Sequence, residues 1–345
     1  MNKWLIFILV VMALGGCNSK KKTPVISSED IFQTELFGQC HASTIVETGK
    51  GMFLSAWFGG SHEGASDVAI WGAGYKNGEW SRPYILAEGV VADSLSLPCW
   101  NPVLYKSGSE RLFLFYKIGK NPREWWGMVK YSDDNGATWS DARQLPYGVL
   151  GPIKNKPVTL GDGRFLCPSS VETLDDQWLA HLELFNDDGL YLRTIPLDHG
   201  DEIGAIQPSI LFYGNNTLQL LCRSRQNRIA QTWSFDGGES WEPLTLLAVQ
   251  NPNSGTDAVT LSDGRQLLAY NPLTAGKEWW EGRNVLALAV STDGITWKDV
   301  CELEHQPSGE YSYPAIIQDS EGMLHITYTW QRKRIKHVVV DPNQF

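Results

Sequence analysis

Internal repetition constrains this chain more than any other feature. A turn followed by a short apolar strand recurs six times along the sequence. The copies are Gly51-Met52-Phe53-Leu54-Ser55-Ala56-Trp57, Arg111-Leu112-Phe113-Leu114-Phe115-Tyr116 and Gly163-Arg164-Phe165-Leu166-Cys167, then Thr217-Leu218-Gln219-Leu220-Leu221-Cys222, Gly264-Arg265-Gln266-Leu267-Leu268-Ala269 and Gly322-Met323-Leu324-His325-Ile326-Thr327. They lie roughly 50 to 60 residues apart, room for one small antiparallel sheet per copy. No long amphipathic helical stretch interrupts them. The spacing predicts an all-β chain built as a six-bladed β-propeller over residues 31–345, with four antiparallel strands per blade.

A second repeat sits later in each unit. Ser132-Asp133-Asp134-Asn135-Gly136-Ala137-Thr138-Trp139 fits Ser-x-Asp-x-Gly-x-Thr-Trp, and Ser234-Phe235-Asp236-Gly237-Gly238-Glu239-Ser240-Trp241 fits with Ser for Thr. Ser291-Thr292-Asp293-Gly294-Ile295-Thr296-Trp297 is one residue shorter. The chemistry is that of a tight turn: Asp accepts backbone N–H bonds, Gly supplies positive φ, and Trp pins the loop to the core. These segments resemble the Asp-box motifs of sialidases and related propellers. In that family the box is a structural turn, so its aspartates are expected to be neither catalytic acids nor metal ligands.

Fifteen tryptophans and 33 glycines suit an all-β protein with many turns, or a carbohydrate binder. A net charge of −10 argues against nucleic acid as a partner. It leaves an anionic small ligand open, because a few arginines can cluster locally in an acidic protein. No metal or other cofactor is implied, and a monomer is the default expectation. Downstream of residue 17, Cys40, Cys99, Cys167, Cys222 and Cys301 are odd in number and widely spaced, which fits buried apolar positions better than a disulfide framework.

The N-terminus reads as a targeting signal. Lys3 supplies a positive start, Trp4 to Leu14 is apolar but short for a bilayer span, and Leu14-Gly15-Gly16-Cys17 resembles a bacterial lipobox. The expectation is a lipoprotein signal peptide over 1–17 with Cys17 lipidated, a tether over 18–30, and a cell-envelope location with the lipid in a bacterial membrane.

The openings of the six units are polar for core strands: His41-Ala42-Ser43-Thr44, Cys99-Trp100-Asn101-Pro102, Lys154-Asn155-Lys156-Pro157, Gln207-Pro208-Ser209, Asn253-Ser254-Gly255-Thr256-Asp257 and Tyr311-Ser312-Tyr313-Pro314. Innermost strands of a propeller start near the axis, so these residues converge on one mouth, or else bond one another to plug it. Asn101, Lys154, Gln207 and Asp257 are candidate substrate-binding residues on this ground.

At this point the resemblance to exo-sialidases covers nearly all of the chain after the signal segment. Leu221-Cys222-Arg223-Ser224-Arg225, followed by Ser234-Phe235-Asp236, is similar to the family's second-arginine segment, with Arg223 the match. Arg283-Asn284-Val285-Leu286, running into Ser291-Thr292-Asp293, is similar to the third. Tyr311-Ser312 resembles the nucleophile segment. The resemblance implies a substrate carboxylate held by Arg223 and Arg283, whose guanidinium forks suit it better than Lys would, and Tyr311 as nucleophile. It implies a proton donor in the loop Gly59–Asp67, where Asp67 and Glu63 are the candidates.

Two departures stand out. The first-blade arginine of the family is replaced by Cys40-His41-Ala42-Ser43, and Gln207 stands where the family has the Glu that activates Tyr. His41 is a candidate base in its place. Trp125-Trp126 and Trp279-Trp280 are candidate sugar-stacking pairs. Three readings follow: a sialidase-type exo-glycosidase acting on terminal sialic acid or another ulosonic or uronic acid; a propeller polysaccharide lyase using His41 and Tyr311; and a non-catalytic glycan-binding lipoprotein.

Overall fold

The computed structural model describes residues 23–92, 95–200 and 202–345. The signal segment, Cys17 and the first residues of the tether lie outside them. The described chain is all-β apart from one short 3-10 turn at Pro342–Gln344.

The strands assemble in chain order into antiparallel sheets. Gln39–Gly49, Met52–Gly60 and Ala69–Lys76 form the first, with two short strands, Glu79–Trp80 and Tyr84–Ala87, both pairing with Ala69–Lys76. Its outer strand is therefore broken in two, at Ser81-Arg82-Pro83, where Pro83 has no N–H to give a ladder. Cys99–Lys106, Leu112–Ile118, Trp126–Ser132 and Arg143–Gln144 form the second sheet. The next two repeats run together as one eight-stranded sheet, joined by a single parallel bridge between Leu179 and Ala205. Asp257–Thr260, Gln266–Tyr270, Val285–Ser291 and Lys298–His305 form another four-stranded sheet.

The last sheet differs from expectation. Tyr311–Gln318, Leu324–Trp330 and Arg334–Val340 take their fourth strand from the other end of the chain, Val25–Asp30. Residues 25–30, read from sequence as tether, are thus structural. Without them Arg334–Val340 would present an unpaired edge, and Arg334 adds an ion pair to Asp30 at 2.9 Å.

Apolar faces stack between sheets. Phe113 and Phe115 of the second sheet meet Phe165 and Phe185 of the next, the latter two rings stacked at 5.5 Å. Four of the five cysteines in the described residues are buried and all five are free thiols.

The start of each repeat is bent. Ala42, Asn101, Lys154, Gln207, Asn253 and Tyr313 all have φ between 38° and 68° although none is glycine. Where these residues lie in a strand the ladder skips register, between His41 and Thr44, Ile206 and Ser209, and Ser312 and Ala315. A bulge re-aims side chains that a regular strand would hide, and non-glycine residues hold such angles only where surrounding structure enforces them.

Candidate active site

Antiparallel pairing places the start of each inner strand and the loop between the second and third strands at the same end of a sheet. At that end a chain of polar and ionic groups crosses four sheets. Arg223 donates from Nε to Asn253 Oδ1 at 2.8 Å, and Arg283 donates to the Asn253 carbonyl at 3.1 Å. Glu310 bridges Arg283 at 3.1 Å and Arg332 at 2.8 Å, and Arg332 ends the chain on Glu63. The Trp178 ring lies 4.9 Å from the Arg223 guanidinium, and the Trp279 ring takes Arg283 at 5.2 Å and Arg332 at 5.0 Å. Planar guanidiniums stack well on aromatic faces and keep their in-plane N–H bonds free.

These charges are unequally neutralised. Burial alone would raise the Glu310 carboxyl, but Arg332 and Arg283 outweigh it and hold it below its usual range. Burial also works against the Arg332 guanidinium, which Glu63 and Glu310 nonetheless push upward. Arg223, by contrast, has an amide and a phenol as its hydrogen-bond partners and no carboxylate among the described residues. The cluster has a net positive charge at Arg223, which is where an incoming anion gains most.

The phenol is that of Tyr313. Arg223 Nη1 donates to its hydroxyl at 2.7 Å and Gln207 Nε2 approaches at 3.5 Å. Tyr311, the residue chosen from sequence, meets Arg283 only through its backbone N–H, at 2.9 Å, and its side chain turns away from the guanidiniums. It is buried at 3% exposure among Leu286, Leu288 and Tyr328, and its hydroxyl accepts from Gln331 at 2.8 Å. The bulge after Ser312 and the left-handed backbone at Tyr313 turn the second tyrosine, not the first, into the mouth. The signal was in the sequence: Asn101, Gln207 and Tyr313 each precede a proline, so they are equivalent positions of three repeats.

His41 packs its ring 4.1 Å from that of Tyr313, and its Nδ1 has no protein partner. Burial, followed by the charges of Arg332, Arg283, Arg223 and Lys154, holds it well below its ordinary value, so it is neutral at physiological pH. Gln207 is buried with Oε1 unpartnered, and Asn101 is buried at its own left-handed turn.

Two other candidates belong to the plug beneath the mouth. Lys154 donates to Asn155 Oδ1, Thr256 O and Pro314 O at 2.7 to 2.8 Å. Burial pulls it down to about 7, yet three acceptors require three N–H bonds, which only the ammonium has. Asp257 is 2% exposed and takes Lys156, Ser209 Oγ and the N–H groups of Ala258 and Ile316. Its oxygens are already spent on tying four repeats together.

Of the two proton-donor candidates, Glu63 reaches the cluster through Arg332, with its N–H held by Gln39 at 2.9 Å. Asp67 folds back on its own loop, accepting from Ser61 N and Oγ at 3.0 and 2.9 Å. Arg332, Glu310 and Trp178 were not foreseen, and Asn253 was named only among the polar openings. Arg332 lies in the turn between Leu324–Trp330 and Arg334–Val340, and only the folding of the chain puts its carbonyl on the Cys40 N–H, next to His41.

The comparisons agree with this architecture. A family model described as a BNR repeat-like domain matches residues 51–326. An anhydrosialidase from Macrobdella decora is 23% identical over 234 residues, 60% of this chain but 30% of that protein, so the chain spans about a third of that curated relative. A leech intramolecular trans-sialidase complexed with 2,7-anhydro-Neu5Ac superposes with a TM-score of 0.74 at 15% identity, covering 92% of this chain and 70% of the other. A protein of unknown function from Dyadobacter fermentans gives a TM-score of 0.72 at 15% identity, covering 92% and 98%. On its repeats, its all-β fold and these matches, the chain belongs to the BNR repeat-like family of the sialidase superfamily.

Proposed function

We propose that this protein is a sialidase-type exo-glycosidase that removes a terminal acidic sugar, sialic acid or a related ulosonic or uronic acid, from a glycan. The observation that carries the reading is the contact of Arg223 with Tyr313 beside Arg283 and Arg332. Arg332 enters from the last repeat and supplies a third guanidinium where the first repeat has His41. In this reading the carboxylate of the sugar docks on Arg223 and its neighbours. The Tyr313 oxygen faces the anomeric carbon as nucleophile or as stabiliser of its developing positive charge, and Gln207 orients it. Glu63 or Asp67 protonates the departing oxygen.

The same reading takes the sheets as six blades of a propeller. Its support is the successive packing of the inner strands and the sharing of the last sheet between both ends of the chain. It also takes the chain as lipid-anchored at Cys17 in a bacterial envelope, supported by the lipobox-like Leu14-Gly15-Gly16-Cys17.

Neutral His41 against Tyr313, with Gln207 in place of a carboxylate, favours a second reading, a lyase in which the histidine takes a proton α to a uronate carboxylate. Incubation with an α-sialoside panel and a uronate polysaccharide panel separates the outcomes. Free acidic monosaccharide supports the hydrolase, an unsaturated product absorbing in the ultraviolet supports the lyase, and saturable binding without product leaves a lectin-like role.

A further inference from the structure

Beyond the cation cluster, the same end of the molecule carries two adjoining cavities of about 460 and 240 Å³. The larger is lined by Trp178, His199 and Arg225, the smaller by Trp125, Trp126 and Tyr147. One carboxylate joins them. Asp176, at a left-handed turn (φ 61°), receives Arg225 bidentately at 2.9 Å and Arg123 at 2.5 Å. Arg225 stacks 4.5 Å from the Trp178 ring that also takes Arg223. The larger cavity therefore borders the proposed site at Trp178, and the smaller meets the larger at the Arg123–Asp176 pair.

We propose that these cavities are subsites for the uncharged sugars that follow the acidic one in an extended glycan, which rests on the exo-glycosidase reading above. Charge separates them from the central cluster. Arg123 and Arg225 are offset by Asp176, and Glu172 lines the smaller cavity, so no net positive charge calls for a second anion. What they offer is aromatic surface for pyranose C–H faces, ringed by carboxylate, guanidinium and amide groups for hydroxyls. Tyr147 stands fully exposed at the tip of the Pro146-Tyr147-Gly148 turn, which no packing role explains.

Two measurements test this on the full chain. Tryptophan fluorescence is titrated with a panel of neutral tetrasaccharides, and kcat/KM is compared for an aryl α-glycoside and for an oligosaccharide ending in the same acidic sugar. At least one neutral tetrasaccharide should bind, and Tyr147→Ala or Arg123→Met should weaken it roughly tenfold, equivalent to about 1.4 kcal/mol, with the same variants lowering the oligosaccharide-to-aryl ratio. Because Trp126 begins a strand, Trp126→Phe is preferred to Ala there. Arg223→Met should leave neutral binding intact. If no neutral tetrasaccharide binds, or binding survives both Tyr147→Ala and Arg123→Met, the subsites do not exist. If Arg223→Met keeps full turnover, it is the central reading that falls, whatever the neutral sugars do.

Discussion

The two ends of the sheets use the same kinds of residue to opposite effect. Ser132, Ser234 and Ser291 close strands at the end away from the mouth, opposite Leu112, Leu218 and Gln266. There each Asp-box carboxylate is satisfied within its own turn. Asp134 accepts from Thr138 Oγ1 at 2.6 Å, Thr138 N at 2.8 Å and Ser132 Oγ at 2.7 Å, and those bonds hold its carboxyl at about 2. Asp236 and Asp293 are likewise held at about 2. At the mouth, groups from different repeats meet across long stretches of chain, with left-handed backbone and with His41 Nδ1, Gln207 Oε1 and Arg283 Nε lacking protein partners. A carboxylate that closes on itself is architecture. A polar cluster that does not close is a place for a ligand.

The contrast breaks first at Arg223. Arg223→Met should lower kcat/KM on the substrate that the panel identifies by about 10³-fold, the scale of losing a charge-stabilising donor, while Asp134→Ala lowers Tm and leaves kcat/KM alone. A variant of Asp134 that impaired turnover with Tm unchanged would reverse the division between the ends. Next come the paired tyrosines. Tyr313→Phe should cost about 10²-fold or more in kcat. Tyr311→Phe should lose only the bond from Gln331, about 1 kcal/mol in denaturant unfolding, with kcat retained.

Glu310→Gln leaves Arg283 and Arg332 less anchored and should raise KM about tenfold more than it lowers kcat, the split expected of a positioning residue. The sign of its pH effect follows from its depressed carboxyl: the stability it contributes is present above about 4.5 and is lost as pH falls below that value through the folded pKa. The smallest effect is that of His41. Because the folded protein keeps it neutral, the unfolded chain takes up a proton near 6.5 that the native state refuses, and stability declines as pH drops below that point. His41→Asn should reduce that slope by up to about one proton. An unchanged slope would mean that folding does not depress His41.

Much of this was legible in the sequence for a physical reason. Turns and alternation are local, so the strand repeats and the Asp boxes could be read directly, and Arg223 and Arg283 carried segments similar to a known family. Glu63 was within reach because it lies in a loop that the repeats located. What failed was register. Tyr311 and Tyr313 are both tyrosines of one strand, and choosing between them required the bulge that the following Pro314 marks. Lys154 and Asp257 looked like ligand groups because polarity at a strand start says nothing about whether the neighbours already satisfy it. Arg332 and Glu310 were beyond reach, since Arg332 pairs with Glu63 across 269 positions and Glu310 with Arg283 of the preceding repeat.

The strand Val25–Asp30 has a consequence for how the molecule is made. Its partner, Arg334–Val340, is the last strand among the described residues, and Asp30 meets Arg334 across 304 positions. Contacts so distant along a chain form slowly. A ribosome therefore releases the opening strand long before the segment that will accept it exists. Until Arg334–Val340 has been made, its partner strand stays bare and open to the wrong partner, so loss of that one strand should harm assembly at both ends of the described residues.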